Sequence, residues 1–400
     1  MATKDERLRE IIRHAYANAP AFTQLMDGAG VTPDDIQSVA DLPKIPVTSK
    51  DELVQQQRAN PPFGGWLAVP PHTLRRIFIS PGPIFDPQGP EHLFLQEGRA
   101  EAFEAVGIGQ GDIVINTFLY HLVPAGILLD DALAAAGATV VPTGPGNTEY
   151  QAQIAMGLHV TGYVGTPSFL KIILDKMAEM GIPKEAVPFK KAVFSAEPYP
   201  QSLRDIFEGE YGMRTAQTYA TADLGVIAYE EPGQPGLRVS NQLIVEVVDP
   251  ESGQPVPTGE VGHVVVTTFN KTYPLIRLGT GDLSAFTDET HTRLKGWMGR
   301  VGDAIKVRGM FLHPLQLKGA VASIPGTGNA QAIVRRPDVR DEVTLKVEFS
   351  GEDADREAVA EKIRAAVTAA CRLKIDTVEL VAPGSIPADA RTVVDERTWD

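Results

Sequence analysis

Between Tyr273 and Arg308 the chain reads YPLIRLGTGDLSAF and, after a short polar stretch, GRVGDAIKVRG. An apolar run ends at Arg277, a Gly-Thr-Gly-Asp turn carries Asp282 at its tip, and LSAF resumes a strand. Gly299-Arg300 forms a second turn, and Gly302-Asp303 opens another strand over residues 304–307. Polar side chains on tight glycine turns between strands are placed to grip a ligand at a sheet edge. A carboxylate there can accept from two neighbouring sugar hydroxyls, and a guanidinium beside it adds charge-assisted bonds. The plain alternative is a pair of surface hairpins whose charges face water.

Four further segments follow strand-like runs. They are Tyr120-His121 after DIVINTFL, Gly165-Thr166-Pro167-Ser168 after GYV, Ser195-Ala196-Glu197-Pro198 after KAVF, and Thr218-Tyr219-Ala220-Thr221-Ala222-Asp223 after RTAQ. On a parallel sheet all four fall along one rim, where open α/β sheets bind ligands. Their carboxylates, hydroxyls and aromatic faces suit a nucleotide and a flat acid. The competing reading is that Ser, Thr and Pro simply start helices after strands.

The elements that must position these residues follow from periodicity. From Arg75 to Ala220 strand-like runs (RRIFIS, DIVINTF, ATVVPTG, GYVGTP, KAVFSA, RTAQTYA) alternate with helical ones, which predicts a mostly parallel sheet covered by helices. From Gly236 to Phe286 alternating residues around a Pro/Gly/Asp-rich turn predict a β subdomain. After Gly302 the pattern is that of a small α+β domain. Upstream, Leu8, Ile11, Ile12 and Ala15 mark a helix over 4–18 that Asn18-Ala19-Pro20 stops, a short helix is expected near Pro33–Val39, and Ser49 with Glu52 makes a capping box.

Composition narrows the function classes. A chain of 400 residues with 43% hydrophobic and 22% charged residues has material for more than one globular domain. A net charge of −14 argues against nucleic acid and anionic membranes as partners. The single cysteine, Cys371, excludes an intrachain disulfide and a cysteine-rich zinc site. The most apolar stretch, Ala125 to Val141, is broken by Asp130 and Asp131, and the charged N-terminal segment has no apolar signal core. A cytoplasmic protein is expected.

The RLGTGDL and GRVGDAIKVRG stretches, together with GTPS, SAEP and YATAD in that order, resemble the phenylacetate–CoA ligase family of adenylate-forming enzymes. The resemblance implies a large AMP-binding and acyl-substrate domain, 1–301, and a small mobile lid domain, 302–400, that swivels about Gly302. It implies that Asp282 binds the ribose of ATP with Arg300 beside it. Ser195, Ala196, Glu197 and Pro198 would line the adenine and acyl sites, Tyr219 and Ala220 would flank the reacting carboxylate, Thr221 would offer the cofactor the hydroxyl that Ala222 lacks, and Asp223 would hold Mg²⁺. Phe118, Tyr120, His121 and Pro124 would build an aromatic-acid pocket, with His121 either orienting a carboxylate or standing as a neutral wall residue. Arg308 would lie beside a CoA tunnel. The implied activity is an AMP-forming acyl–CoA ligase using ATP, Mg²⁺ and CoA on a small, aromatic carboxylic acid, in a chain whose relatives are often dimers.

The chain departs from that pattern in two places. The phosphate loop is replaced by Ser80-Pro81-Gly82-Pro83-Ile84-Phe85-Asp86-Pro87, with prolines that lack N–H groups and an acid where the family has a cation. Near the C-terminus Asp389 stands at the family's lysine position, and Arg391, the nearest cation, would take over that catalytic role if the loop shifts. These departures keep two alternatives open: an ATP-independent acyl-transfer enzyme, and a non-catalytic nucleotide- or acyl–CoA-binding protein.

Overall fold

Leu8, Ile11, Ile12 and Ala15 bury one face of α1 (Lys4–Asn18), whose start is fixed by a reciprocal Thr3–Glu6 capping box. Pro20 ends this helix and, as the first residue of α2 (Pro20–Gly28), also begins the next, because a proline's missing N–H costs nothing there. The short helix expected near residue 33 is two 3₁₀ turns, Pro33–Asp35 and Val39–Lys44. The fold comes from a computed structural model that describes residues 2–80, 83–89, 100–301, 305–308, 310–312, 314–351, 356–371, 373–388 and 390–398. Pro81, Gly82, the hinge candidate Gly302 with Asp303, and Asp389 lie outside the described residues. The chain forms two units, Met1–Val301 and Gly302–Asp400.

In the first unit, β1 (Thr48–Ser49) leads into α3 (Lys50–Ala59) through the Ser49–Glu52 capping box. A hairpin follows, β2 (Arg76–Ser80) and β3 (Ile84–Gln88). The alternating part comprises α4 (Glu101–Ala105), β4 (Ile113–Asn116), α5 (Ala125–Ala135), β5 (Thr139–Pro142), α6 (Thr148–Gly157), β6 (Gly162–Gly165), α7 (Pro167–Glu179), β7 (Lys191–Phe194), α8 (Gln201–Arg204) and β8 (Arg214–Thr221). Then come β9 (Gly225–Glu230), β10 (Leu237–Val239), β11 (Leu243–Val248), β12 (Gly262–Thr268), β13 (Leu278–Ser284) and β14 (Arg293–Leu294). One sheet runs β14-β10-β9-β8-β7-β6-β4-β5, parallel from β8 to β5 and antiparallel from β8 to β14. A second runs β1-β13-β12-β11.

Two expectations change. The RRIFIS run is not the first strand of the parallel sheet. It pairs antiparallel with 84–88, so the segment expected as a loop is itself a strand. The reason is alternation: Phe78, Ser80, Ile84 and Asp86 are buried on one face while Ile77 and Phe85 are exposed on the other. The Gly-Thr-Gly-Asp segment is not a turn either but the middle of β13. His263 pairs with Leu283 and Val265 with Gly279, leaving residues 280–282 opposite Val264 alone. Asp282 therefore stands in a bulge, a device that re-aims a side chain out of a ladder.

The second unit contains β15 (Ile305–Val307), β16 (Met310–Leu312), α9 (Pro314–Ala322), β17 (Thr327–Arg335), β18 (Glu342–Phe349), α10 (Arg356–Cys371), β19 (Thr377–Val381) and β20 (Val393–Asp395). Its sheet runs β19-β18-β17-β20 over a core of its own that includes Leu317, Val334, Leu345, Ile363 and Val367. Cys371 is buried in that core, and burial pushes its thiol up to about 11. Among the described residues no helix is long and apolar enough to cross a membrane.

Candidate active site

The bulge in β13 delivers Asp282 into a ring of donors. Arg300 Nη1 lies 2.7 Å and Trp297 Nε1 3.2 Å from Oδ1, and the Tyr219 hydroxyl 2.9 Å from Oδ2. Arg300 comes from the segment that bridges back to Asp282, with Leu283 N–H to Gly299 and Val301 N–H to Gly281 holding it. The hydroxyl of Thr280 donates to the Val264 carbonyl and accepts the Asp282 N–H. Asp282 is 5% exposed, so these are not solvated surface hairpins. Burial, then the Asp282 charge, holds the Tyr219 phenol well above its ordinary range, so it stays a donor. A carboxylate has about four lone-pair positions and three are taken here. One position is left for a further donor, and the contact from half-exposed Trp297 is the longest of the three.

The parallel strands β4, β6, β7 and β8 end on one side, and each end is tied to its neighbour. Thr117 N–H donates to Val164 and Ser195 N–H to Gly165. In GTPS, Gly165 is a packing requirement, since a Cβ there would lie 2.0 Å from Thr117 Oγ1 and 2.2 Å from the Tyr163 hydroxyl. Thr166 caps α7 and Pro167 occupies its first turn, so this motif does start a helix. Ser168 reaches across to Glu197, 2.6 Å away, and Ser195 Oγ donates to the Thr218 carbonyl. Between them Ala196 takes a left-handed φ of 72°. A non-glycine residue held there is strained, and such strain concentrates at functional sites.

β8 runs past the end of β7 and turns into β9, placing Tyr219, Ala220 and Thr221 on the strand and Asp223 in the turn. Asp223 meets a partner that no sequence pattern indicated. Lys50 Nζ, on the first residue of α3, lies 2.5 Å from its Oδ2, and the Asp223 side chain is 3% exposed. Asp223 Oδ1, Thr221 Oγ1 and Ser80 Oγ are buried without hydrogen-bond partners. Asp86 enters the same cluster from β3. Burial, then the Asp223 charge, raises its carboxyl well above the usual range against the pull of Lys50. Farther along α3, Gln57 clamps β3: its Oε1 accepts the Phe85 N–H and its Nε2 donates to the Phe85 carbonyl, both 2.8 Å, and also to the Tyr273 hydroxyl. Lys50 and Gln57 share a helix face seven residues apart, so one helix sets both the hairpin and the charge on Asp223.

Of the expected acid pocket, Pro124 is buried, Phe118 packs on the core beneath the parallel sheet and His121 is exposed. Tyr120 is directed into a clip, donating to Asp130 at 2.7 Å and accepting from Asn116 at 2.8 Å. The described residues form an apolar cleft elsewhere, lined by Leu128, Leu129 and Ala132 of α5 and by Val226, Tyr229 and Leu243. In the second unit Arg308 pairs with Asp376 at 3.1 Å and donates its backbone N–H to Asp341. Asp341, 1% exposed, is also held by Arg336 and Arg397. Arg391 is exposed just before β20, its carbonyl accepting from Gln331.

Residues 309–397 match the family model described as the AMP-binding enzyme C-terminal domain. The phenylacetate–coenzyme A ligase of Thermus thermophilus is 31% identical over 366 residues, covering 87% of this chain and 81% of that ligase. The enzyme of the same name from Aromatoleum evansii is also 31% identical, over 361 residues, with the same coverage. Among solved structures, 2-hydroxyisobutyryl-CoA ligase in complex with 2-HIB-AMP and CoA superposes with a TM-score of 0.90 at 25% identity, covering 98% of this chain and 89% of that one. A β13 bulge that presents a buried aspartate to Arg300 and to Tyr219 of the parallel-rich α/β sheet thus sits in a chain that belongs to the phenylacetate–CoA ligase-like family of the adenylate-forming superfamily.

Proposed function

We propose that the protein is an AMP-forming acyl–CoA ligase acting on a small carboxylic acid. The observation that carries this reading is the buried Asp282 with its Tyr219, Trp297 and Arg300 donors, set in a family of CoA ligases. Asp282 holds the nucleotide sugar, and Arg300 keeps that carboxylate fixed. Ser195 to Pro198, with Ala196 in its strained turn, frames the base and the acyl group beside Tyr219 and Ala220. A carboxylate oxygen attacks the α-phosphorus of ATP and pyrophosphate leaves; a CoA thiolate then attacks the acyl carbon and AMP leaves. Preorganised donors in a water-poor site stabilise the developing charge better than water does.

Magnesium fits as a minor tenant of the protein. Asp223 Oδ1 and Thr221 Oγ1 are buried and unsatisfied, enough for the one carboxylate and few protein oxygens Mg²⁺ takes when phosphates and water complete its shell. When bound it neutralises phosphate charge. Lys50, already on the other Asp223 oxygen, supplies a fixed positive charge close to where the loop lacks one. The acid is proposed to be aromatic, on the strength of the relatives. Residues 302–400 would act as the lid.

A second reading is favoured by one feature. The β2–β3 hairpin fills the phosphate-loop position with a strand carrying buried Asp86, which suits an enzyme that takes acyl groups already activated. One assay separates the two. With MgATP and a panel of aryl and alkyl acids, the ligase is expected to give carboxylate-dependent ATP–pyrophosphate exchange and, with CoA, stoichiometric AMP. No exchange with any acid, alongside turnover of an acyl–CoA, would replace it with the second.

A further inference from the structure

The β13 bulge raises a question of satisfaction. Residues 280–282 leave the ladder opposite Val264, so their N–H groups need partners other than β12 backbone. Thr280 Oγ1 takes the Asp282 N–H. The Gly281 N–H goes to a side chain, His263 Nε2, at 3.0 Å. His263 sits on β12 at the last ladder pair before the bulge and is 8% exposed. Its ring occupies room that exists only because residue 279 is glycine: a Cβ at Gly279 would lie 2.5 Å from His263 Cε1 and 2.9 Å from Nε2. Accepting at Nε2 requires that nitrogen to be unprotonated, which fixes the tautomer with its proton on Nδ1.

We propose that His263 is a positioning residue for nucleotide binding: by accepting the Gly281 N–H in the space left by Gly279, it sets the bulge that aims Asp282 at the sugar. This rests on the sugar-binding reading of Asp282 and adds the residue that keeps it aimed. The pairing is reciprocal. Without the glycine the ring does not fit, and without the ring the Gly281 amide has no acceptor and the bulge can relax toward a regular ladder, turning Asp282 away from Tyr219.

The charged and titratable groups around the ring are Asp282 of β13 and Arg300 of the bridging segment. Burial lowers the His263 pKa from its ordinary 6.5, with Asp282 opposing and Arg300 assisting. The folded protein therefore prefers the neutral ring. That preference contributes fully above the ordinary value and is lost as pH falls below it toward the folded value. The neutral ring is the form that accepts from Gly281, so nucleotide affinity falls with it in acid.

The test measures AMP dissociation constants by calorimetry on the full chain, with thermal unfolding as a check of folding. His263→Gln keeps an acceptor at the same reach and is expected to stay within threefold of the parent. His263→Leu, of similar bulk without an acceptor, is expected to weaken AMP at least tenfold. Gly279→Ala, which leaves His263 in place but crowds its ring, is expected to do the same. The acid-side loss of affinity is expected to be smaller in His263→Gln than in the parent. Leu and Gln variants of equal affinity, or Leu and Gly279→Ala variants that bind like the parent, would overturn the proposal. An Asp282→Asn variant locates such a failure: if it also binds AMP like the parent, the sugar grip itself is wrong; if it alone weakens, only the role of His263 is.

Discussion

Asp223 is nearly inaccessible, yet its charge is balanced by a lysine from a helix 173 residues earlier. Removing one member of a buried ion pair strands the other, which typically costs about 3–5 kcal/mol, and the lower end applies because Lys50 keeps 23% of its surface. Lys50→Met is therefore expected to lower unfolding stability by about 3 kcal/mol in urea titration. Adding Asp223→Asn should return most of that loss. If the double variant is no more stable than Lys50→Met, the pair is not what holds this corner together. The buried pair of Arg277 and Glu246 is held alike: the guanidinium donates at 3.0 Å to a carboxylate whose pKa burial raises and Arg277 restrains.

At the scale of elements, α3 does more than its sequence advertises. Its capping box was readable from Ser49 and Glu52, three residues apart, because capping is local chemistry. Its two side chains that matter were not, because Lys50 and Gln57 find partners far along the chain and no period in the sequence encodes them. The same holds for the bulge. Gly-Thr-Gly-Asp reads as a turn from composition, and only the register with β12 makes it an interruption inside a strand. Replacing Gln57 by Leu leaves the Phe85 N–H and carbonyl without their clamp, at a cost of about 1–3 kcal/mol. The expected signature is local: hydrogen exchange at the Phe85 amide quickens far more than in the parallel strands β6 and β7. Uniform acceleration across the unit would show instead that the hairpin is not separately held.

For the whole molecule, the alternation from 113 to 221 was legible because strands such as IVIN, GYVG and KAVF are short buried apolar runs and helices such as α7 carry a 3.6-residue stripe. RRIFIS reads as a strand from its alternation, but alternation does not say which partner the strand takes, and it pairs with 84–88 in a separate hairpin. Of the candidate site, the ring of Asp282, Tyr219 and Arg300 gathers residues named in the sequence, whereas Trp297, Lys50 and His263 were found only in space. Residues 302–400 own a separate apolar core, from Val307 to Val393. A fragment of that length is within the usual range of independent domains. It is expected to unfold cooperatively by itself, with a sigmoidal denaturant transition by circular dichroism; a gradual, featureless transition would contradict this.

Arg277 is 1% exposed and stands five residues before Asp282. Its guanidinium also donates to the carbonyls of Ile45 and Gly253. The opening fifty residues are thus stitched under the very strand that presents Asp282. Shortened expression clones that begin beyond Ile45 would take away one of the carbonyls holding this buried cation, and the damage would surface as feeble nucleotide capture rather than as a missing N-terminal ornament.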